Sequence, residues 1–288
     1  MRLHGKLLLL LVPLLLLPVG AIAWIAQSRL VEQVLERHRQ VAQEQMERST
    51  AGLASLRHEA EASLHLLAVN PVVGQYLLTA DEEVRYQVMQ PSLLTLFATF
   101  QEIHPLFDEI RILLPDGFED TRRVTPAVTD NVTEEEGGAD FFGSWRALAP
   151  GQIGIALCVN PDNGEPSLIL GRSIVLRDRA VEETRIEPRL RGYVGITLGL
   201  RAFIDDLGDQ RLGRSGRMLI LDRDGVEPFA PSGRAVAVRL EGFAPTAGQG
   251  AVPAQVMLAD GHAGVYWSRE LISGYYLVAL LPRAELFQ

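Results

Sequence analysis

Apolar and polar positions fall into successive patterns along the chain. From Leu7 to Ala26 no residue is charged: LLLLLVPLLLLPVGAIAWIA. A helix of that length, rising ~1.5 Å per residue, covers the ~30 Å hydrocarbon core of a bilayer. Arg2, His4 and Lys6 precede it, and basic flanks favour a cytoplasmic N-terminus. Trp24 suits the opposite interface. Ala21-Ile22-Ala23 also fits the cleavage pattern of a secretory signal peptide. The run is long for such a signal and the helical pattern continues through the cut, so an uncleaved anchor is expected. In both cases residues 27–288 lie outside the cytoplasm, in periplasmic or extracellular space.

Ser28 to Val69 follows with no proline and a single glycine, Gly52. Leu53, Leu56, Ala60, Leu64 and Leu67 share one helical face. Leu30, Val34 and Val41 are sparser, as in a stalk that meets its own copy in a dimer; a plain solvated helix is the alternative. Asn70-Pro71 breaks the pattern. Val72–Leu78 and Glu82–Phe107 then read as helices, the second split at Pro91.

Beyond Asp108 the pattern turns to strands. Glu109–Leu114, a Pro115-Asp116-Gly117 turn and Phe118–Val124 form a hairpin. Pro126–Gly143 reads as an irregular acidic loop with Phe141-Phe142 pinned inside, and Trp145–Leu148 as a short helix. Ile153–Val159, Ser167–Leu176 and Gly192–Leu198 are strands, with a charged excursion at Arg177–Arg191. Leu200–Leu207 is a short helix, Arg217–Leu221 a strand turned by Asp222-Arg223-Asp224-Gly225, and Gly264–Ser268 and Tyr275–Leu281 the closing antiparallel strands. The expected architecture is α+β. A cytoplasmic tip and transmembrane anchor (1–27) and a stalk helix (28–70) lead to two antiparallel-sheet modules (71–198 and 199–285).

Composition narrows the chemistry. A net charge of −9 without a basic stripe excludes nucleic acid as a partner. The single cysteine, Cys158, allows no internal disulfide and sits in an apolar strand as a small hydrophobe. There is no H-E-x-x-H, G-x-S-x-G or Walker loop, so an enzyme is not expected. His58 and His65 stand seven apart on the stalk, unlike a metal pair, and Glu134-Glu135-Glu136 reads as solvated loop charge. No metal or cofactor is expected.

Several stretches resemble the double Cache (PAS-like) sensor domains of bacterial membrane receptors: chemoreceptors, sensor histidine kinases and diguanylate cyclases. They are Phe107–Arg123 with its Pro-Asp-Gly turn, Phe141-Phe142 with Leu148-Ala-Pro-Gly-Gln-Ile153, Arg191-Gly-Tyr-Val-Gly-Ile-Thr-Leu198, Leu219-Ile-Leu-Asp-Arg-Asp-Gly225, and Val278-Ala-Leu-Leu-Pro-Arg-Ala-Glu285. The resemblance implies two PAS-like modules, membrane-distal and membrane-proximal, and a small-molecule pocket in the distal one under a capping loop at about 125–150. Such receptors continue into a second membrane helix and an output domain, whereas the sequence stops at Gln288. The ligand motif of the amino-acid-binding subgroup is absent as such.

Within that frame Arg122 or Arg123 could fork onto a carboxylate, and strand alternation lets only one of them point inward. Arg172 is a second candidate cation, and Phe141, Phe142 and Trp145 are candidate walls. Surface ion pairs and plain core are the alternatives for these arginines and aromatics. The expected function is ligand sensing by a membrane-anchored receptor, with a small molecule (an anion is one option) bound in the distal module and relayed through the stalk helix. The alternative is an anchored adaptor that binds an envelope protein.

Overall fold

The computed structural model describes residues 3–126, 128, 137–160, 162–179, 186–233, 238–245, 254–257 and 263–287. Helix α1 runs Leu3–Ala68. Within Leu7–Ala26, only the side chains of Gly20 and Trp24 belong to the described part. Among the described residues no helix is long and apolar enough to cross a membrane. Anchoring therefore rests on the sequence. The run of three glutamates, Glu134–Glu136, lies outside the described residues.

The chain divides into two compact units: a central one, Ala51–Asp206, and a flanking one made of Met1–Thr50 and Leu207–Gln288. In the central unit α1 is followed by α2 (Pro71–Leu78), α3 (Glu82–Val84), a π-helical turn at Arg85–Met89 and α4 (Gln90–Ile103). Asn70 caps α2 by accepting from the Val72 N–H at 2.9 Å, and Pro71 occupies the first turn, where no donor is needed. Leu53, Ala60, Leu64 and Leu67 are buried, as their spacing predicts, and Leu56 is partly buried. Helix α4 stops at Ile103, before Phe107, because Pro105 cannot continue it; Phe107 instead opens the first strand.

The central sheet is antiparallel, in the order β2-β1-β5-β4-β3. Its strands are β1 (Phe107–Leu113), β2 (Glu119–Val124), β3 (Ile153–Val159), β4 (Pro166–Arg179) and β5 (Ile186–Gly199). Gly117, at φ 100°, makes the β1–β2 turn that an L side chain would strain. One sheet face buries Ile110, Ile112, Leu168, Leu170, Val194 and Ile196, on the side of α2 and α4. Helix α5 (Asp140–Arg146) covers the opposite face, against β3 and β4.

Two elements differ from expectation. Phe141 and Phe142 lie on α5, not in an irregular loop. Burial of Phe142 and Trp145, one turn apart, holds the helix through Gly143 and Ser144. The charged excursion is largely strand: β4 and β5 continue as a ribbon, with Val175 paired to Leu190 and Arg179 to Ile186. Cross-strand hydrogen bonds override its polar composition.

The flanking unit holds a second antiparallel sheet, β6-β7-β10-β9-β8. Its strands are β6 (Arg211–Leu212), β7 (Gly216–Asp222), β8 (Ala254–Met257), β9 (Ala263–Ile272) and β10 (Tyr275–Pro282). Apart from the edge strand, the pattern repeats that of the central sheet, with a late strand inserted beside the first. The Asp222–Gly225 turn leads only to an isolated bridge, Val226 with Arg239, so the second hairpin is vestigial and the edge place falls to β6. Leu219, Leu221, Tyr266, Tyr276, Val278 and Leu280 form its core. Helix α6 (Arg201–Asp209) leads into this unit, where Gln45 on α1 donates to the Arg211 carbonyl at 3.2 Å and Ala42 and Met46 are buried.

Candidate functional site

A single row of residues crosses all five central strands. Arg122 on β2 pairs with Arg111 on β1, Arg111 with Gly195 on β5, Gly195 with Gly171 on β4, and Gly171 with Gly154 on β3. Residues opposite one another in register share a face, so the row runs from two arginines into three glycines. The three glycines leave a trough, and the Trp145 indole fills it. A Cβ at Gly154 or Gly171 would collide with the ring, and one at Gly195 would lie 2.9 Å from it. Phe141 leans on the indole at 5.0 Å between centroids, and Phe142 meets Tyr193 edge-on at 5.3 Å. Trp145 Nε1 is buried without a hydrogen-bond partner among the described residues.

The arginine end of the row is a buried ionic cluster. Arg122, 4% exposed, reaches Glu109 and Asp162 with Nη1 at 3.1 Å each, and its Nε lies 3.6 Å from Glu119. Arg111 pairs closely with Glu109 and lies 3.3 Å from Glu119. The Thr197 hydroxyl donates to Glu109 at 3.0 Å. Among the described residues, three carboxylates thus meet two guanidiniums. Burial makes each member depend on the others, since removing one strands a charge in low dielectric. Arg111 also lies 5.9 Å from the Phe141 ring centroid, so the cluster and the aromatic plug adjoin.

A second polar cluster gathers on Asp120, the neighbour of Glu119 on β2. Buried Asp120 accepts from the Tyr76 hydroxyl at 2.5 Å and the Tyr86 hydroxyl at 2.8 Å, and Arg85 lies 3.2 Å away. Burial first, then the Asp120 carboxylate, pushes both phenols above their usual range. Tyr86 and Arg85 belong to the π-helical turn, a geometry frequent at functional positions. Asp108, at the start of β1, is half-buried. Desolvation, with Glu109 and Glu165 adding to it, pushes its carboxyl up to about 6 against the hydrogen bond from Thr125.

The structure brings four of the six candidate residues together: Arg122, Phe141, Phe142 and Trp145. Arg123 is exposed, as alternation along β2 requires. Arg172 follows Gly171 and so faces the other side of the sheet, where its guanidinium donates to His65 Nδ1 on α1. It does not join the cluster. Sequence reasoning missed Glu109, Arg111, Glu119, Asp162 and Thr197. The visible hint was Asp-Glu-Ile-Arg-Ile, where charge at every second position of an apolar strand marks a polar stripe on a buried face.

No protein-family model matches the chain, and no curated protein is significantly similar to it. Solved structures are. A sensory box/GGDEF family protein domain from Vibrio parahaemolyticus superposes with TM-score 0.61 at 15% identity, over 88% of this chain and 100% of that one. The sensor domain of the V. cholerae histidine kinase DctB gives 0.59 at 11% identity, over 86% and 98%. The ligand-binding domain of the Pseudomonas fluorescens chemoreceptor CtaA, in complex with L-serine, gives 0.55 at 14%, over 86% and 99%. The fold is that of the double Cache sensor domains. At this level of identity the likeness establishes the fold alone. These similar structures were solved as sensor, extracellular or ligand-binding domains.

Proposed function

We propose that the chain is the extracytoplasmic ligand-sensing part of a membrane-bound receptor, held by Leu7–Ala26 and binding a small molecule on the Trp145 face of the central sheet, which is the membrane-distal module. The observation that carries this reading is the abutment of the Trp145–Phe141 aromatic wall with a buried cluster of arginines and carboxylates. A small-molecule site needs such a pairing of flat apolar wall and convergent polar groups. The arginines are already committed to carboxylates, so a bare anion has to displace one. A ligand that brings an ammonium group of its own can meet the carboxylates of the cluster as well as its guanidiniums. Amino acids fit this chemistry, and the similar domains include ones solved with L-serine and with asparagine. Binding shifts the population between two states only as far as the ligand prefers one of them. The α1 helix, shared by both units, is the path by which that shift travels to a partner copy or to the membrane.

The test is a thermal-shift screen of the full chain in detergent against amino acids, polyamines and organic acids. An amine-bearing compound is expected to raise the melting midpoint and to change the emission of Trp145, isolated by comparison with Trp145→Phe. If no compound in these classes shifts the midpoint while the chain co-purifies with an envelope protein, the sensing role is wrong and the adaptor role takes its place.

A further inference from the structure

In the flanking unit a cleft of about 490 Å³ opens between α1 and the turn that joins β6 to β7, a volume typical of small-molecule sites. Val34, Arg37, His38 and Val41 line it from α1, three and four residues apart and so on one helical face. Arg214 lines the other side, with Glu285 from the 3₁₀ turn Arg283–Phe287.

Charge distinguishes this cleft from ordinary surface. Burial acts to raise the Glu285 carboxyl, but hydrogen bonds outweigh it and hold the group below the usual carboxylate range. The donors are the Ser215 hydroxyl at 2.6 Å and the backbone N–H groups of Ser215 and Arg214, the latter at 3.2 Å. Glu285 is thus spent on bracing the turn. Arg37 and Arg214 have no ion-pair partner among the described residues, whereas Arg39, next along α1, pairs with Glu36 at 3.2 Å. Two guanidiniums without an ion-pair partner among the described residues, one from α1 and one from the β6–β7 turn, line the cleft with Val34, Val41 and His38, the last lying near Glu285, and make it cationic in a chain of net charge −9.

We propose that this cleft is a second binding site, for a phosphate group carried on a molecule with a short apolar part. Paired guanidiniums fit the oxygens of a phosphate, and Val34 and Val41 accept the adjoining carbon. A ligand held by both walls ties α1 to the β6–β7 turn. Two sources offer this chemistry. Val34 lies eight residues beyond Ala26, about 12 Å along a helix at ~1.5 Å per residue, so an acidic lipid headgroup is within reach if Leu7–Ala26 is anchored as proposed. A diffusible phosphate ester is the other source.

The experiment uses the full chain in neutral detergent. One arm adds inorganic phosphate, with chloride at matched ionic strength as control. The other adds phosphatidylglycerol, with phosphatidylcholine as control. The expected result is a raised melting midpoint in at least one arm, with affinity falling roughly tenfold for each of Arg37→Gln and Arg214→Gln and unchanged in Arg48→Gln. A shift with lipid alone assigns the site to the headgroup; a shift with phosphate assigns it to the phosphate group irrespective of carrier. The proposal is overturned if neither addition moves the midpoint, or if the shift survives in the Arg37 and Arg214 variants.

Discussion

At the scale of single residues, the central sheet is governed by what glycine leaves out. Trp145 needs three β-carbons to be missing from three different strands, and Gly154, Gly171 and Gly195 supply the gap. Gly171→Ala is expected to destabilise the chain by about 1–3 kcal/mol through overpacking. Trp145→Phe, which withdraws the wider ring, should recover part of that loss, and urea unfolding of the two single variants and the double measures the coupling. Sequence patterns showed Trp145 as a candidate wall, but not its seat, because register between strands far apart in sequence is not written locally. Asp108 is the pH-sensitive residue. Its folded carboxyl titrates at about 6, above its ordinary 3.8, so the folded chain binds the proton more tightly than the unfolded one. Stability is then highest below pH ~4 and falls as pH rises towards ~6, by about 1 kcal/mol once solvent screening is allowed for. Asp108→Asn should therefore raise the melting midpoint at pH 7.5 and leave it nearly unchanged at pH 4.

At the scale of elements, helices and strands with strong periodicity were legible and polar ones were not. The apolar face of α1 from Leu53 to Leu67 and strands β1, β3, β7 and β10 carry their period in the sequence. The β4–β5 ribbon does not: Arg177, Asp178, Glu187 and Arg189 look like solvated loop, and only pairing with one another makes them strand. Short α5 was half seen, since its aromatic anchors were noticed but Phe141 and Phe142 were assigned to the acidic loop that precedes them in sequence. The ribbon extends past the part of the sheet that helices cover. Hydrogen exchange should therefore be faster at residues 175–179 and 186–190 than at 168–174 and 192–198, because the former lack a packed face to hold their bonds closed. Equal protection along both stretches would mean that something covers the ribbon.

At the scale of the whole molecule, an α+β chain with two antiparallel sheets was foreseeable from the strand patterns, and the buried ionic cluster was not. Its members come from β1, β2, β5 and the β3–β4 turn, so only the closed sheet assembles Glu109, Arg111, Glu119, Arg122, Asp162 and Thr197. Each unit has its own core. Leu219→Ala, which empties part of the flanking one, should cost about 2–5 kcal/mol and lower exchange protection in β7, β9 and β10. Protection in β1 and β5 of the central sheet should persist, unless the two cores melt as one. The central unit is also a single uninterrupted stretch of chain, Ala51–Asp206, whereas the flanking one is drawn from two segments. That makes the central stretch a cassette: a counterpart from another sensor could be spliced into the same host by two junctions. The first junction falls inside α1, where a graft one residue too long would rotate everything downstream by about 100°. Specificity could therefore be exchanged wholesale, on condition that the helical phase of the splice is kept.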